Sequence, residues 1–167
     1  LPEDFTGYSG LLKYSTPLGD GDFQIALHVF DATWAPTEQL PERLIGTPLC
    51  EDRYCALDTS LRGYTRRQVL TANYESDDWR ITAYAQHYDW SLLSNFTYFL
   101  DDPVNGDQIR QFERRWTYGG RVERMFQLGD RLTLRTGAEA RIDDIGPIGF
   151  DHTSDGALNY NYNSFDV

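Results

Sequence analysis

The sequence contains no long apolar run, only one lysine and only two cysteines among its 167 residues. No apolar stretch approaches the roughly 18 residues that a membrane-spanning helix requires, so any contact with lipid would have to be made by strands. Acidic residues outnumber basic residues by 26 to 15, which gives a formal net charge of −11. Because binding to phosphate groups of nucleic acid needs clustered basic residues, we expect no nucleic-acid partner.

The chain also begins without a signal peptide, since residues 1–4 offer neither a basic start nor an apolar segment. It starts within a strand-like pattern and ends in an Asn- and Tyr-rich stretch, residues 159–165, that does not resemble a closing strand. The sequence is therefore either a mature protein or a portion of a longer one, and we favour the second interpretation.

Aromatic residues are abundant, at 14 % of the chain, with 11 Tyr, 9 Phe and 4 Trp. Such a content is typical of a sheet protein that places rings at an interface. The 40 % of hydrophobic residues would suffice for a soluble core, so composition alone does not require a membrane. The arrangement of residues along the chain must therefore decide between a soluble protein and a membrane protein.

Alternation of apolar and polar residues with a period of two predicts an antiparallel all-β protein with about six long strands. In the clearest case Ile81 and Ala83 alternate with polar neighbours such as Arg80, as in a strand with one apolar and one polar face. Arg124 interrupts the apolar side of another strand, where its long side chain could snorkel to lipid headgroups. The predicted strands span about residues 5–14, 23–34, 64–75, 80–88, 111–126 and 131–142.

The connections between these strands alternate in length. Short turns are predicted near residues 15–22, 76–78 and 127–130, and long polar loops at 36–62 and around 101–107. Strands of about 10 or more residues with this asymmetry favour the wall of an antiparallel transmembrane β-barrel, with short periplasmic turns and long extracellular loops. A soluble β-sandwich, the other fold considered, usually has comparable loops at both ends.

Four segments together resemble the barrel of TonB-dependent outer-membrane receptors: residues 34–45, 57–58, 94–98 and 106–115. Such receptors are barrels of about 22 strands with a plug inside the lumen. They import scarce nutrients across the bacterial outer membrane, most often ferric siderophores or other metal chelates, with energy delivered by TonB. The resemblance thus implies a receptor that binds and imports such a nutrient.

The resemblance covers most of residues 5–145 and includes no plug and no TonB-contacting segment. We therefore assign residues 1–145 to a partial receptor barrel and residues 146–167 to a polar extracellular loop segment. The partners implied are outer-membrane lipid, the remaining barrel strands and plug domain, TonB through an N-terminal region outside this sequence, and a small-molecule ligand. A soluble all-β module that stacks carbohydrate or peptide on exposed aromatic rings is the alternative function.

Two groups of side chains are candidates for contact with solute or plug. The candidate ligand contacts in or beside the first long loop are Arg53, Tyr54 and Tyr64. The side chains expected to face the barrel lumen are Arg80, Tyr84, Arg121, Arg135 and Glu139. Arginine favours an anionic ligand, whereas the acidic loops favour cationic or metal-bearing cargo, so the charge of the ligand stays open.

Cys50 and Cys55 are separated by four residues within the first long loop. A disulfide is the simplest interpretation, because exposed thiols do not persist in an oxidising compartment. Metal binding is the alternative, but two sulfurs are too few for a closed zinc site and the histidines are distant in sequence. We find no nucleophile elbow, zinc-protease motif or carboxylate dyad, so we predict no enzyme activity, no catalytic residues, no metal and no cofactor.

Overall fold

The chain forms one antiparallel β-sheet. A computed structural model describes residues 4–36 and 38–165, which form seven strands whose order in the sheet follows their order in the chain. The strands are β1 (Thr6–Leu18), β2 (Gly21–Trp34), β3 (Gly63–Glu75), β4 (Trp79–Ser94), β5 (Ile109–Gln127), β6 (Thr133–Ser154) and β7 (Ala157–Phe165). The only helical element of the described residues is a 3-10 turn, Glu42–Leu44, and no helix there has the length and apolar character to cross a membrane.

The sheet is a single open layer that does not close into a barrel. Each strand contacts only its neighbours, and the edge strands β1 and β7 do not meet within the described residues. The prediction of an antiparallel all-β fold is confirmed, with seven strands where about six were expected. Ile81, Leu132 and Leu134 keep 39 %, 57 % and 47 % of their surface exposed, so they are not enclosed between two packed layers as in a β-sandwich.

The C-terminal part differs from the polar loop expected for residues 146–167. β6 continues to Ser154, and after a two-residue turn β7 extends to residue 165. These strands form because their backbone groups pair with the neighbouring strand: His152 of β6 lies opposite Ile109 of β5, and β6 pairs with β7 through two register shifts. The side chains buried in this part are polar, so no apolar alternation indicated a strand. Residues 166–167 lie outside the described part of the chain, and an extracellular position for this segment stays a prediction.

Short turns lie at one end of the sheet and two long loops at the other. β1 and β2 are joined by a two-residue turn in which Gly19 has a φ of 65°, a conformation that suits a tight hairpin. Short turns at the same end join β3 to β4 and β5 to β6. At the opposite end, residues 35–62 join β2 to β3 and residues 95–108 join β4 to β5. We call these the first and second long loops, and their length confirms the predicted alternation as far as β6; the two-residue turn from β6 to β7 lies at the same end and departs from it.

The register sorts side chains onto two faces, because directly paired residues of neighbouring strands point the same way. One face, which we call the belt face, carries three mainly apolar rows across six strands. Its rows are Leu12, Leu27, Leu70, Ala85, Tyr118 and Ile142; Tyr14, Ile25, Ala72, Ala83, Gly120 and Ala140; and Thr16, Phe23, Tyr74, Ile81, Val122 and Ala138. Leu12, Leu70 and Ile142 remain 73 %, 43 % and 67 % exposed, so no described residue covers this face. We call the opposite side the polar face.

The most enclosed side chains lie toward the long-loop end and are mainly polar. The largest fully buried side chains are those of His152, Gln108, Thr153, Asp151, Cys50 and Ser94. The buried hydrophobic residues of the described part are only Ala32, Cys50, Leu61 and Leu93. The sheet therefore has no apolar core of its own, and its long-loop end is held together by hydrogen bonds.

Candidate functional site

Tryptophan side chains mark two levels of the belt face. Trp79 begins β4 opposite Arg124, at the short-turn end, and Trp116 lies farther along β5 toward the loops. On β5 the two levels are eight residues apart, about 27 Å along the strand at roughly 3.4 Å per residue. Trp116 stacks on Tyr118 with ring centroids 5.9 Å apart. We call the level of Trp79 the lower girdle and that of Trp116 the upper girdle; the row of Trp116 also carries Gln68, His87 and Asp144.

A charged row follows the upper girdle on the same face. Arg66 and Asp31 form an ion pair at 2.8 Å, and Arg114 and Asp89 form one at 3.4 Å. Tyr64 lies one step closer to the loops, and its hydroxyl donates to Oδ1 of Asp89 at 3.0 Å. The structure therefore places Tyr64 on the belt face, with its hydroxyl already hydrogen-bonded.

The five residues expected to face a lumen all lie on the polar face: Arg80, Tyr84, Arg121, Arg135 and Glu139. Arg80 forms an ion pair with Glu75 of the neighbouring strand. Nη2 of Arg121 lies 2.5 Å from Oε1 of Glu123. The carboxylate of Glu139 forms no hydrogen bond or ion pair with any described residue. The polar face is thus a partly paired array of charges, and its exposure to a lumen stays a prediction.

Asp58 connects the two long loops. Its Oδ2 accepts hydrogen bonds from Nδ2 of Asn95 at 2.8 Å and Nε2 of Gln108 at 2.9 Å. Its Oδ1 accepts from the backbone N–H and the hydroxyl of Ser60 at 3.0 and 2.6 Å. Burial raises the pKa of Asp58, but these hydrogen bonds lower it by more, so the pKa lies below its ordinary value. Gln108 extends the network to β6 by accepting from the Thr153 hydroxyl at 2.8 Å.

The second long loop is closed around Asp107. The carboxylate of Asp107 accepts hydrogen bonds from the backbone N–H groups of Leu100, Asp101 and Asp102 at 2.8, 3.1 and 2.7 Å. Burial raises the pKa of Asp107, but these hydrogen bonds lower it by more, so the pKa lies below its usual value. This carboxylate therefore holds the loop backbone. Among the described residues, no group of three or more His, Cys, Asp or Glu side chains is arranged to hold a metal ion.

A cavity of about 190 Å³ lies within the first long loop. Its polar lining comprises Asp4, Glu38, Arg53, Asp58, Thr59 and Tyr98, and apolar side chains such as Leu57 and Leu61 complete the wall. The guanidinium of Arg53 forms no hydrogen bond or ion pair with the described residues. Burial raises the pKa of Glu38, although hydrogen bonds from Ser94 and Asn95 partly oppose that rise. The cavity thus offers an unpaired guanidinium and a partly desolvated carboxylate.

The candidate ligand contacts do not converge on one site. Arg53 lines the cavity, whereas Tyr54 is 60 % exposed on the surface of the loop and Tyr64 lines an adjoining groove that shares Thr59 and Leu61 with the cavity. The cavity residues Glu38 and Tyr98 were not among the predicted site residues. The only signals for them were the acidic character of the loop and the resemblance of residues 34–45 and 94–98. Their convergence depends on the path of the loop, which no local pattern encodes.

Cys50 and Cys55 form the predicted disulfide, with their Cα atoms 5.4 Å apart. Cys50 is buried, and Cys55 lines the cavity beside Arg53. The backbone N–H of Cys50 also donates to the carbonyl of Thr47 at 3.0 Å. The disulfide therefore constrains the chain on one side of the cavity, where Cys55 forms part of the lining.

Comparisons of this chain with protein-family models, with curated proteins and with solved structures found no match. The chain can therefore be classified only by its fold. It is an all-β chain with one open, seven-stranded antiparallel sheet, one disulfide and two faces of opposite polarity.

Proposed function

We propose that the chain is part of the wall of a TonB-dependent receptor barrel in the bacterial outer membrane, which binds and imports a scarce nutrient. The observation that carries this proposal is the belt face, an apolar surface six strands wide that no described residue covers. In water such a surface costs free energy in proportion to its area, whereas lipid hydrocarbon accepts it. A single sheet layer has no second layer on which to bury it.

Two further features support a wall in lipid. The lower and upper girdles, at Trp79 and Trp116, lie at levels eight residues apart on β5, close to the roughly 9–11 residues with which a tilted strand crosses a membrane. The polar face carries paired and unpaired charges, such as Arg80 with Glu75 and the unpaired Glu139, which suit a water-filled interior. Lipid on one side and water on the other account for both faces at once.

The cavity of the first long loop is the proposed capture site. Arg53 would bind an anionic group of a ferric siderophore or another metal chelate, because a guanidinium holds carboxylates with paired hydrogen bonds. Glu38, whose burial raises its pKa, would accept a donor group of the same ligand. Import further needs partners beyond these residues: the remaining barrel strands, a plug domain and TonB.

A pair of matched substitutions tests the wall proposal. Ala83→Arg places a charge in the middle row of the belt face, and Thr82→Arg places the same charge on the polar face one residue away. An arginine facing lipid near the bilayer midplane costs roughly 2–4 kcal/mol. We expect Ala83→Arg to lose most of its vesicle-bound folded protein in flotation, and Thr82→Arg to keep it. Equal loss in both variants, or a parent chain that is monodisperse and melts cooperatively in plain buffer, would overturn the proposal.

Import is tested separately in the source bacterium. Deleting the gene that contains this sequence should reduce TonB-dependent accumulation of an iron-55-labelled chelate, while diffusion of a small sugar through porins should not change. A deletion strain that accumulates every tested chelate normally would contradict the import function while leaving the wall proposal intact.

A further inference from the structure

Arg124 occupies an unusual position on the belt face. It lies in the lower girdle, in register with Trp79 of β4 and with Thr136 of β6. The central carbon of its guanidinium is 4.8 Å from the ring centroid of Trp79 and 4.7 Å from that of Phe126. Both distances fall within the range of cation–π attraction, so two aromatic rings hold the guanidinium at the edge of the apolar rows.

No acidic side chain neutralises Arg124. It forms no hydrogen bond or ion pair with the described residues. The arginines at the other end of the belt face differ, because Arg66, Arg110 and Arg114 each have an aspartate partner. The contrast leaves one cation on the lipid-facing side without a counterion from the protein.

The side chains around Arg124 explain why no counterion is available. On the belt face it lies between Val122 and Phe126 along β5, and its direct partners across the strands, Trp79 and Thr136, carry no charge. The acidic Asp78 of the nearby turn lines a small cavity with Arg80 and Glu123, which lie on the polar face. Arg124 is exposed, so its guanidinium is open to an anion that approaches this face from outside the protein.

We propose that Arg124 and Trp79 form a binding site for the phosphate of an anionic phospholipid headgroup, in the leaflet at the short-turn end of the sheet. This inference rests on the proposed function, because it requires the belt face to contact lipid. A guanidinium offers planar pairs of N–H donors that match the oxygens of a phosphate. The two rings restrict the guanidinium, so less freedom is lost when the headgroup binds.

A lipid suits the site better than a soluble phosphate does. Its acyl chains can lie on the apolar rows above Arg124 while its headgroup contacts the guanidinium, so one molecule satisfies both surfaces. Phosphatidylglycerol carries a net negative charge, whereas the choline group of phosphatidylcholine neutralises the phosphate. We therefore expect an anionic lipid to be preferred at this position by roughly five-fold, in line with about 1 kcal/mol per basic residue near a charged membrane surface.

Trp79 itself can report occupancy of the site. In a variant with Trp34, Trp90 and Trp116 replaced by Phe, fluorescence comes only from Trp79, and brominated lipids that bind beside it quench that fluorescence. Vesicles containing brominated phosphatidylglycerol or brominated phosphatidylcholine then give the relative association of each lipid. The preference for phosphatidylglycerol should fall toward one-fold in Arg124→Gln, remain in Arg124→Lys, and weaken at high salt.

The control and the contrary outcomes are distinct. Lys13→Gln removes a positive charge from the polar face of β1 and should leave the lipid preference unchanged. Equal quenching by both lipids in the parent, or an unchanged preference in Arg124→Gln, would overturn the headgroup site alone. Loss of the preference when inorganic phosphate replaces chloride at constant ionic strength would assign the site to soluble phosphate and also overturn it. Absence of quenching by either lipid would overturn the wall proposal and this site together.

Discussion

The ring of Tyr84 lies against Gly119 of the neighbouring strand. The two residues pair in register on the polar face, and a Cβ placed on Gly119 would overlap Cζ and the hydroxyl oxygen of Tyr84. Glycine in the middle of a strand is unfavourable unless another group uses the space that it leaves. Here the space is used by the tyrosine ring, so Tyr84 is supported by β5.

We expect Gly119→Ala to destabilise the folded protein by about 1–2 kcal/mol, because the added methyl group displaces the ring of Tyr84. The free energy of unfolding in urea, measured in detergent micelles or vesicles, checks this value. In a Tyr84→Ala background the same change should have a much smaller effect, since no ring remains to be displaced. Equal destabilisation in both backgrounds would mean that the glycine is needed for another reason.

The two faces of the sheet could be predicted from the sequence because they follow from a local rule. In a strand, neighbouring side chains alternate between faces, so Ile81 and Arg80 had to lie on opposite sides. The short turns were equally local, with residues 76–78 too few for anything but a hairpin. These features need no knowledge of the rest of the chain.

The loop cavity and β7 could not be predicted, because both depend on contacts between distant residues. Asp58 is bound by Asn95 and Gln108, which lie 37 and 50 positions away in sequence. β7 pairs with the end of β6, where the buried His152 and Thr153 give no apolar alternation. In both cases buried hydrogen bonds take the place of the hydrophobic pattern that sequence analysis detects.

The disulfide should protect the first long loop from proteolysis. A disulfide that closes a loop of this size removes conformational entropy from the open loop and so stabilises the folded loop by about 2 kcal/mol. This corresponds to a roughly 30-fold smaller population of the open loop. Replacing Cys50 and Cys55 together by Ser should therefore speed tryptic cleavage at Arg43 and Arg53 by a comparable factor. Treating the parent protein with reductant should have the same effect. An unchanged cleavage rate in the double variant would show that the other contacts of the loop suffice.

Asp58→Asn should loosen both long loops at neutral pH. The amide keeps the size of the side chain but loses the charge that holds four hydrogen bonds, and we expect about 2 kcal/mol of local stability to be lost. Amide hydrogen exchange in residues 95–108 should then accelerate by roughly 30-fold at pH 7. Glu51→Gln, an exposed change in the same loop, serves as the control and should have little effect.

The effect of Asp58 should also depend on pH in a defined direction. Because the pKa of Asp58 is lower in the folded chain than the ordinary value of about 3.9, its stabilisation is complete above that value. It is lost as the pH falls through the lower folded pKa. Parent and Asp58→Asn should therefore differ at pH 7 and converge in strong acid. A difference that stays constant down to the lowest pH would contradict the assignment of the charge to these hydrogen bonds.

Glu38 should show the opposite dependence. Burial raises its pKa in the folded chain, and the charge of Asp58 adds to that rise. A raised folded pKa gives stability that is complete below the unfolded value of about 4.3 and is lost as the pH rises through the folded value. Glu38→Gln, which resembles the protonated acid, should therefore protect residues 35–62 from exchange more than the parent at pH 7 and equally near pH 4. Because Glu38 is only partly buried, solvent screening limits the gain to a few-fold.

The two carboxylates of the cavity can be separated by the double variant. If the charge of Asp58 disfavours the ionised form of Glu38 at neutral pH, the gain in exchange protection from Glu38→Gln should shrink when Asp58 is already Asn. The neighbouring charge is then gone. An unchanged gain would assign the effect to desolvation alone. Greater protection of the parent than of Glu38→Gln at pH 7 would contradict the raised pKa of Glu38. Because Arg53 lines the same cavity, an anion bound there should increase the gain, since a further negative charge near Glu38 makes its ionised form less favourable.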